Sequence, residues 1–459
     1  MKKRFLWIGP LLAISLAVFL FILNVKTEIN IVASITLLCA LWWIFEPIPI
    51  PVTSMIPLAA FTMSGILTPN QVASAYGHPL ILLLLGGFIL SQSMAYSGAH
   101  RRIALMMVNL FGSSSPKHLI MGFMTASAIL SMWISNTATT LMLLPVALAT
   151  VESANDKRLT SALLLGVAYS ASIGGIGTPI GTPPNILFMS TYNETTGSSL
   201  GFLDWMKWGV PLVIIFIPLA MLWVTRDLPK KMEVKIPATG KWTSIEKRVL
   251  WVFAATALLW ITRQQPFGGW GELTGLTTAN DASVALLACI TLFIIPDGKR
   301  VDGKQGKLLN WETANKIPWG VLLLFAGGIS IAKAFGASGL SQVIGDYLAN
   351  VVALPTILVI ALIAVTVTFM TEMTSNTATT ALLMPILAAA AIAADIDPAL
   401  LMVPAAMSAS CAFMLPVATA PNAIVYGSEK VTIQEMVRNG FTLNLIGVGL
   451  ITVVCYLLI

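Results

Sequence analysis

The sequence predicts an all-α polytopic membrane protein, built as an inverted-topology repeat of two five-helix units plus an extra N-terminal helix. Of its 459 residues, 57% are hydrophobic and only 10% are charged, whereas a soluble domain carries about 25% charged residues. Apolar stretches of about 20 residues, each long enough to cross a bilayer as a helix, recur along the whole chain. The hexapeptide SNTATT occurs twice, at 135–140 and at 375–380, which indicates two related halves.

The elements of the first unit, residues 1–225, follow from these apolar stretches. The stretch 5–25 is too long for a signal peptide and lacks a small-residue cleavage site, so we assign it as the extra N-terminal helix. Further helices are predicted at 30–46, 51–67, 79–96 and 207–225, with a re-entrant hairpin at 118–150 and a broken helix at 159–191.

A polar segment at 226–248 separates the two units and is predicted to be a cytoplasmic linker. It contains the helix breakers Pro229, Pro237 and Gly240. The second unit, residues 249–459, has predicted helices at 249–264, 280–296, 318–336 and 437–459, a hairpin at 353–390 and a broken helix at 399–427.

Basic residues predict the orientation of the chain in a plasma (bacterial inner) membrane. Apart from the linker, those expected on one side are Lys2, Lys3, Arg4, Arg101, Arg102, Lys117, Lys157, Arg158, Lys299, Arg300, Lys304, Lys307, Lys430 and Arg438. The positive-inside rule makes this side cytoplasmic. If both hairpins return to the side they entered, about eleven transmembrane helices remain, with the N-terminus cytoplasmic and the C-terminus outside. The net charge of +6 is explained by this bias, and we expect no nucleic-acid partner.

The repeat extends beyond the hexapeptide. LLLLGG at 82–87 matches LLLFAGG at 322–328, and GTPPN at 181–185 matches ATAPN at 418–422. The spacing between matched segments falls from 241 to 237 residues along the chain, so the two copies are collinear. Five helices per copy is an odd number, which makes the second copy insert upside down, as in transporters that alternate access to a site at the membrane midplane.

Each half contains two stretches that a continuous helix does not tolerate. One is the Ser-Asn-Thr motif, and the other is the Gly- and Pro-rich segment 174–185 or its counterpart 415–422. Unwound backbone at membrane depth is tolerated only where it lines a cavity or binds a ligand. Carbonyl groups at helix C-termini suit a cation such as Na⁺, and N–H groups at helix N-termini suit an anion. Neither motif contains Arg or Lys, so bound cations would have to compensate the charge of an anionic substrate.

With these motifs the chain resembles the divalent anion/sodium symporters over nearly its whole length. The resemblance rests on SMWISNT at 131–137, YSASIGG at 169–175, TPPN at 182–185, TEMTSNT at 371–377 and CAFMLPVAT at 411–419. It implies a Na⁺-coupled transporter of a small dicarboxylate, a homodimer embedded in membrane lipid, and an elevator-like motion of the domain that bears the hairpins. Ala420, where the family has Pro, and Thr182, where some members have Ser, depart from its pattern at the substrate rim.

The resemblance also implies the site residues. One Na⁺ would lie near Ser131, Ser135, Asn136 and the Gly181 backbone, and a second near Thr371, Thr374, Asn376 and the Ala418 backbone. The substrate would meet Ser135, Asn136, Thr137, Ser375, Asn376 and Thr377, flanked by Thr182 and Thr419.

Several alternatives stay open at this point. The chain could exchange di- or tricarboxylates without Na⁺, or couple Na⁺ to citrate or sulfate, and an anion channel is the alternative from another class. We do not expect an enzyme, because the motifs contain no His, Cys or acid pair in nucleophile–base or metal spacing. Glu372 could relay protons. However, its counterpart in the first half is Met132, so a structural, hydrogen-bonded carboxylate is favoured.

Overall fold

A computed structural model describes residues 2–112, 115–151, 156–229, 240–264, 269–301, 304–352 and 354–459. In the first half the helices are α1 Lys2–Ile22, α2 Thr27–Phe45, α3 Ile50–Thr53, α4 Met55–Met63, α5 Pro69–Tyr76, α6 Pro79–Ser97, α7 Ala99–Phe111, α8 Pro116–Ser131, α9 Asn136–Val151, α10 Lys157–Gly175, α11 Pro183–Thr196 and α12 Phe202–Val224. The middle of the predicted linker, including Pro237, and residue 353 of the second predicted hairpin lie outside the described residues.

The second half begins with α13 Ser244–Ile261, α14 Gly269–Leu273 and α15 Asp281–Ile294. It continues with α16 Trp311–Ala314, α17 Trp319–Ser338, α18 Leu340–Val352, α19 Thr356–Thr371, α20 Asn376–Ala393, α21 Ala399–Ala409, α22 Ala420–Tyr426 and α23 Ile433–Leu458. The prediction of a helical membrane protein is confirmed, although the purely helical description needs one correction. Strands β1 Pro296–Val301 and β2 Lys304–Lys307 form an antiparallel hairpin in a polar connection where no strand was predicted.

Seven helical stretches of the described chain are long and apolar enough to cross a membrane. They are Arg4–Ile22, Thr27–Phe45, Pro69–Ser97, Phe202–Val224, Trp319–Ser338, Asn376–Ala393 and Ile433–Leu458. Shorter apolar helices accompany them at Ile50–Met63, Asn136–Val151, Asp281–Ile294, Thr356–Thr371 and Ala399–Ala409. Large apolar side chains remain exposed on these surfaces, including Phe21 at 76% and Leu457 at 70%. Such exposure suits a surface that faces lipid.

Two short amphipathic helices, α7 and α18, were not predicted. Each follows a glycine in the left-handed conformation, Gly98 at φ 78° and Gly339 at φ 82°. A glycine adopts this conformation without the steric cost that other residues incur. The turn therefore ends one spanning helix and starts another helix in a new direction. Ser97-Gly98 and Ser338-Gly339 are matched positions of the repeat.

The helices that carry the motifs pack closely because small residues lie between them. The Oγ of Ser127 on α8 donates to the carbonyl of Val167 on α10 at 2.9 Å. A Cβ added to Gly174 on α10 would collide with the backbone of Ala128 on α8. Small residues allow this close approach of two helix backbones, which is a common way to pack helices in membranes. The end of α10 is thereby fixed beside the end of α8.

Candidate functional site

Both Ser-Asn-Thr motifs lie in short gaps between helices. The first separates α8 from α9, and the second separates α19 from α20. Each serine acts as the N-cap of the helix that follows: Ser135 Oγ accepts from the Ala138 N–H at 3.3 Å, and Ser375 Oγ accepts from the Ala378 N–H at 3.4 Å. A hydroxyl that caps a helix favours a break at that residue. The motif therefore ends one helix and starts the next.

The second pair of breaks lies between α10 and α11 and between α21 and α22. A single asparagine fixes each break. Asn185 Nδ2 donates to the carbonyls of Gly175 at 2.9 Å and Thr178 at 2.7 Å. Asn422 Nδ2 donates to the carbonyls of Ala412 at 3.1 Å and Leu415 at 3.0 Å. These carbonyls lie ten and seven residues before the asparagine in both cases, so the two breaks share one hydrogen-bonding pattern.

The four breaks border one cavity of about 1020 Å³. Of the predicted site residues, those that line it are Ser135, Asn136, Thr137, Gly181, Thr182, Thr374, Ser375, Asn376, Thr377, Ala418 and Thr419. Ser131 and Thr371, both 0% exposed, lie behind this surface at the ends of α8 and α19. Two charged residues also line the cavity, Glu46 and Lys316.

The polarity of the cavity follows from which helix ends meet there. Helices α9, α11, α20 and α22 begin at Asn136, Pro183, Asn376 and Ala420, so four N-termini border the cavity. Helix N-termini carry unpaired N–H groups and a partial positive charge, which favour an anion. The preceding helices α8, α10, α19 and α21 end close to the same motifs, where their C-terminal carbonyls suit a cation.

In the first half, one end of the Asn136 side-chain amide faces three oxygens. One Asn136 amide atom lies 2.6 Å from Ser131 Oγ, 3.2 Å from the Ala171 carbonyl and 3.3 Å from the Gly181 carbonyl. An amide nitrogen at this position shares its two N–H groups among the three oxygens, whereas an amide oxygen there completes a cluster of four oxygens. Both orientations fit the same side-chain shape, and a cluster of neutral oxygens is a typical environment for a hard cation.

Glycine makes this cluster possible. A Cβ on Gly175 would lie 2.6 Å from the Asn136 amide, and a Cβ on Gly181 would collide with the Gly175 carbonyl. Ser135, predicted for the same Na⁺ site, makes its described hydrogen bond to the start of α9. The structure thus brings Ser131, Asn136 and Gly181 together in one cluster, while Ser135 serves as a cap beside it.

In the second half, hydroxyl groups take the place of this amide cluster. Thr374 Oγ1 lies 2.7 Å from Thr379 Oγ1 and donates to the Met370 carbonyl at 2.9 Å. Thr371 Oγ1 donates to the Thr368 carbonyl at 3.1 Å. Asn376 Oδ1 is buried and, among the described residues, has no hydrogen-bond donor. A buried acceptor without a donor is costly, and a cation at Asn376 would remove that cost.

The carboxylate of Glu372 is buried and held by hydrogen bonds from three groups. Its Oε1 accepts from the Met414 N–H at 2.9 Å and from Asn444 Nδ2 at 2.7 Å, and its Oε2 accepts from the Leu415 N–H at 3.0 Å. The side chain is 3% exposed. Three donors satisfy the carboxylate, as a buried charge requires. The favoured interpretation of Glu372 as a hydrogen-bonded structural residue agrees with these contacts.

The sequence reasoning missed the asparagines that fix the breaks. Asn185 and Asn422 are both 0% exposed, and their place at the end of the matched TPPN and APN segments was the signal that could have found them. Asn444 and Thr379 were also missed. Their partners are 72 and 5 residues away in the chain, and nothing in the local sequence around Asn444 indicates the contact with Glu372.

Comparisons with known proteins agree with this architecture. A family model described as a citrate transporter matches residues 40–403. The sodium-dependent dicarboxylate transporter SdcS of Staphylococcus aureus (strain bovine RF122 / ET3-1) is 39% identical over 471 residues, which cover 98% of this chain and 89% of that protein. SdcS of strain NCTC 8325 / PS 47 is similar to the same extent, at 39% identity.

Two solved structures share the fold at low sequence identity. The YdaH transporter of Alcanivorax borkumensis superposes with a TM-score of 0.57 at 14% identity and covers 86% of each chain. MtrF of Neisseria gonorrhoeae, described as illuminating a class of antimetabolite efflux pumps, superposes with a TM-score of 0.59 at 14% identity, covering 86% of this chain and 83% of that one. The family match over most of the chain confirms the resemblance derived from the motifs: the chain belongs to the citrate transporter family, and it is an integral membrane transporter and not an enzyme.

Proposed function

We propose that this chain imports small dicarboxylates, such as succinate, malate or fumarate, together with Na⁺. The observation that carries the proposal is the single cavity that both Ser-Asn-Thr motifs line. Four helix N-termini and the hydroxyls of Ser135, Thr137, Ser375 and Thr377 offer hydrogen-bond donors to two carboxylate groups at once. The relative SdcS is named a sodium-dependent dicarboxylate transporter, which supports the same substrate class and coupling ion.

The first Na⁺ binds at the Asn136 cluster. In this proposal the Asn136 amide turns its oxygen toward Ser131 Oγ and the Ala171 and Gly181 carbonyls, and Na⁺ binds among these oxygens. The close approach of Gly175 and Gly181 to the amide supports this site, because it keeps the ligands within a few ångströms of one another.

The second Na⁺ binds beside Thr371, Thr374 and Asn376, with the Ala418 backbone as a further ligand. The buried Asn376 oxygen, which lacks a donor among the described residues, supports this position. The carboxylate of Glu372, next to Thr371 in the chain, adds a negative charge close to this cation. It stays bound to Met414 and Leu415 throughout the cycle.

The negative charge of the substrate explains why its transport is coupled to Na⁺. The motifs that meet the substrate contain no Arg or Lys, and a dianion in a site of low dielectric constant costs many kcal/mol if it is uncompensated. The two Na⁺ ions neutralise the two carboxylates, so the anion binds strongly only after the cations. The domain that carries the site moves across the membrane when the site is empty or when it holds both Na⁺ ions and the substrate. It does not move when only some of these are bound.

The transport cycle is of the alternating-access, elevator type. We propose an inverted repeat with about eleven membrane helices, re-entrant hairpins α8–α9 and α19–α20, a cytoplasmic N-terminus and an outer C-terminus. The shared hydrogen-bonding pattern of Asn185 and Asn422 supports the repeat. With that orientation Glu46 and Lys316 lie at the cytoplasmic ends of α2 and α17, so the cavity opens to the cytoplasm. We further propose a homodimer in the bacterial inner membrane.

Uptake of labelled succinate into proteoliposomes tests the proposal. An inward Na⁺ gradient should drive saturable accumulation, while an equal K⁺ gradient should not. Uptake that is indifferent to Na⁺ but stimulated by preloaded succinate would instead identify an exchanger. Citrate is the second candidate substrate, because the matched family model describes a citrate transporter, and unlabelled citrate and sulfate should be compared as competitors. Flux that does not saturate would contradict a carrier and favour an anion channel.

A further inference from the structure

A second polar cavity lies far along the helices from the substrate cavity, and the two share no lining residue. It has a volume of about 480 Å³ and is formed by the beginning of α10, the end of α12 with the residues after it, and the first turns of α23. In the proposed orientation these helix ends lie at the cytoplasmic membrane surface. The transport mechanism assigns no role to this cavity.

Three arginines from three different segments line it: Arg158, Arg226 and Arg438. Two carboxylates, Asp227 and Glu435, also line it, and both are already engaged. Glu435 Oε2 accepts from Thr432 N and Oγ1, both at 2.8 Å, and thereby caps its own helix. Asp227 lies 3.6 Å from Arg226 with its side chain 64% exposed. Arg158 and Arg438 make no ion pair within the described part of the chain.

The side chain of Arg226 is held in one position at the wall of the cavity. Its Nη1 donates to Asn439 Oδ1 at 2.9 Å and to the Trp223 carbonyl at 2.6 Å. Its guanidinium also lies over the Trp223 ring, 3.7 Å from the ring centroid. These contacts join the end of α12 to α23. They leave the guanidinium of Arg226 oriented, whereas Arg158 and Arg438 are exposed and free to turn toward a ligand.

The remaining lining is mixed, with the polar side chains of Ser161 and Asn439 beside four apolar residues. The apolar residues are Ala162, Leu165, Val224 and Leu228. A cavity lined by three arginines and four aliphatic side chains fits an amphiphilic anion. Guanidinium groups favour phosphate, whose oxygens accept paired N–H bonds.

We propose that this cavity binds the phosphate of an anionic phospholipid headgroup from the cytoplasmic leaflet. The phosphate bridges Arg158 and Arg438 against Arg226, and the adjoining glycerol and acyl carbons contact Leu165 and Val224. Basic pockets between membrane helices on this side are typical headgroup sites. Binding connects the beginning of α10 to the end of α12 and to α23, the last two of which Arg226 and Asn439 already join. The inference uses the proposed orientation but is independent of which solute is transported.

Thermal unfolding of the purified full-length protein in detergent tests this. The probes are mixed micelles with dioleoylphosphatidylglycerol, with dioleoylphosphatidylcholine, or with neither but with inorganic phosphate. We expect phosphatidylglycerol to raise Tm above the phosphatidylcholine value. The half-saturating lipid concentration should rise on the order of tenfold in Arg158→Gln/Arg438→Gln, because charge-assisted hydrogen bonds are lost. The matched control is Arg101→Gln, which removes an exposed arginine of α7 outside this cavity and should leave the shift unchanged.

The outcomes separate the possible sources of the anion. If inorganic phosphate alone gives the full shift and the double variant removes it, the site is supported but its occupant is a soluble phosphate and not a lipid. If the lipid shift is the same in the double variant as in Arg101→Gln, the proposal is wrong. Should the double variant fail to fold, Arg438→Gln alone provides the comparison, since Arg438 is exposed and makes no described ion pair.

Discussion

The break between α10 and α11 and the break between α21 and α22 occupy matched positions but are stabilised in different ways. Both use an asparagine, Asn185 or Asn422, to bind carbonyls ten and seven residues earlier. Around that common core the first break contains Gly174, Gly175, Gly177 and Gly181, whereas the second has Cys411, Ala412, Met414 and Ala418 at the matched positions. The first half thus relies on close backbone contact.

The second half relies on a buried carboxylate instead. Glu372 binds the N–H groups of Met414 and Leu415. In the first half the residue matched to Glu372 is Met132, whose carbonyl accepts from Thr178 Oγ1, and Thr178 is the residue matched to Leu415. A hydrogen bond therefore joins the same two matched positions in both halves. In the second half the side chain in this bond belongs to Glu372, whereas in the first half it belongs to Thr178, at the other position. The comparison shows that the repeat preserves the geometry of the turn while the residues that stabilise it diverge.

The largest expected effect is on succinate uptake, and it comes from the asparagine of the Ser-Asn-Thr motif, which both halves contain. Asn136→Ala and Asn376→Ala should each reduce succinate uptake on the order of 100-fold or more, because each removes an amide ligand from one half of the site. Both proteins should remain folded, as judged by size-exclusion profile and thermal unfolding. Near-normal uptake by either variant would mean that the site does not need both halves.

Gly175→Ala tests the close contact that only the first half uses. The new Cβ would displace the Asn136 amide, so the Na⁺ concentration that gives half-maximal uptake should rise by about tenfold or more. Because the contact is with a side chain and not with backbone, folding should be largely retained. Gly336→Ala is the matched control, since a Cβ on this glycine of α17 meets nothing within 4 Å. Equal Na⁺ dependence in the two variants would contradict the assignment of the first site.

Glu372→Gln tests the buried carboxylate that stabilises the helix break of the second half only. One acceptor oxygen becomes an NH₂ group that faces backbone N–H donors, so the free energy of unfolding should fall by about 1–3 kcal/mol. Met132→Leu, at the matched position, should have a much smaller effect. The pH dependence of uptake per folded protein should be the same as in the wild type. If that dependence were lost in Glu372→Gln, the carboxylate would be a proton carrier and its structural assignment would be wrong.

The smallest effect is expected at the hydroxyl pair of the second half. Thr374→Val removes the contact between Thr374 and Thr379 and one proposed Na⁺ ligand, so the apparent Na⁺ affinity should fall about threefold to tenfold. Thr150→Val is a suitable control, because the hydrogen bond described for Thr150 Oγ1 goes to the Val146 carbonyl of its own helix. The Na⁺ activation curves of the two variants provide the comparison, and coincident curves would remove Thr374 from the site.

The sequence was sufficient to predict the features that depend on local composition. Apolar stretches identified helices that are long and apolar enough to cross a membrane, and the Ser-Asn-Thr and Gly- and Pro-rich segments identified many of the residues that line the cavity. It was not sufficient for contacts between distant segments. The partner of Glu372 on α23, Asn444, and the arginine cavity formed by α10, α12 and α23 depend on tertiary packing. Helices α7 and α18 were missed because they are shorter and less uniformly apolar than a membrane span, with polar residues along one face.

The β1–β2 hairpin was missed for a related reason. Its sequence, with Gly298 at φ 86° and several charged residues, has little of the alternating pattern that identifies a strand. The strands form beside Arg248, whose Nη1 donates to the Pro296 carbonyl at 2.5 Å. A contact from another helix thus fixes the start of the hairpin, and local sequence does not indicate it.

The central claim is that two half-sites bind the cations and one dianion together. Its most direct test is the thermal stabilisation of the purified protein by succinate, measured in Na⁺ and in K⁺ for the wild type, Asn136→Ala and Asn376→Ala. We predict that succinate raises Tm of the wild type only in Na⁺, and that either substitution removes the increase. Equal stabilisation in K⁺, or an unchanged increase in one of the two variants, would contradict a shared, Na⁺-dependent site.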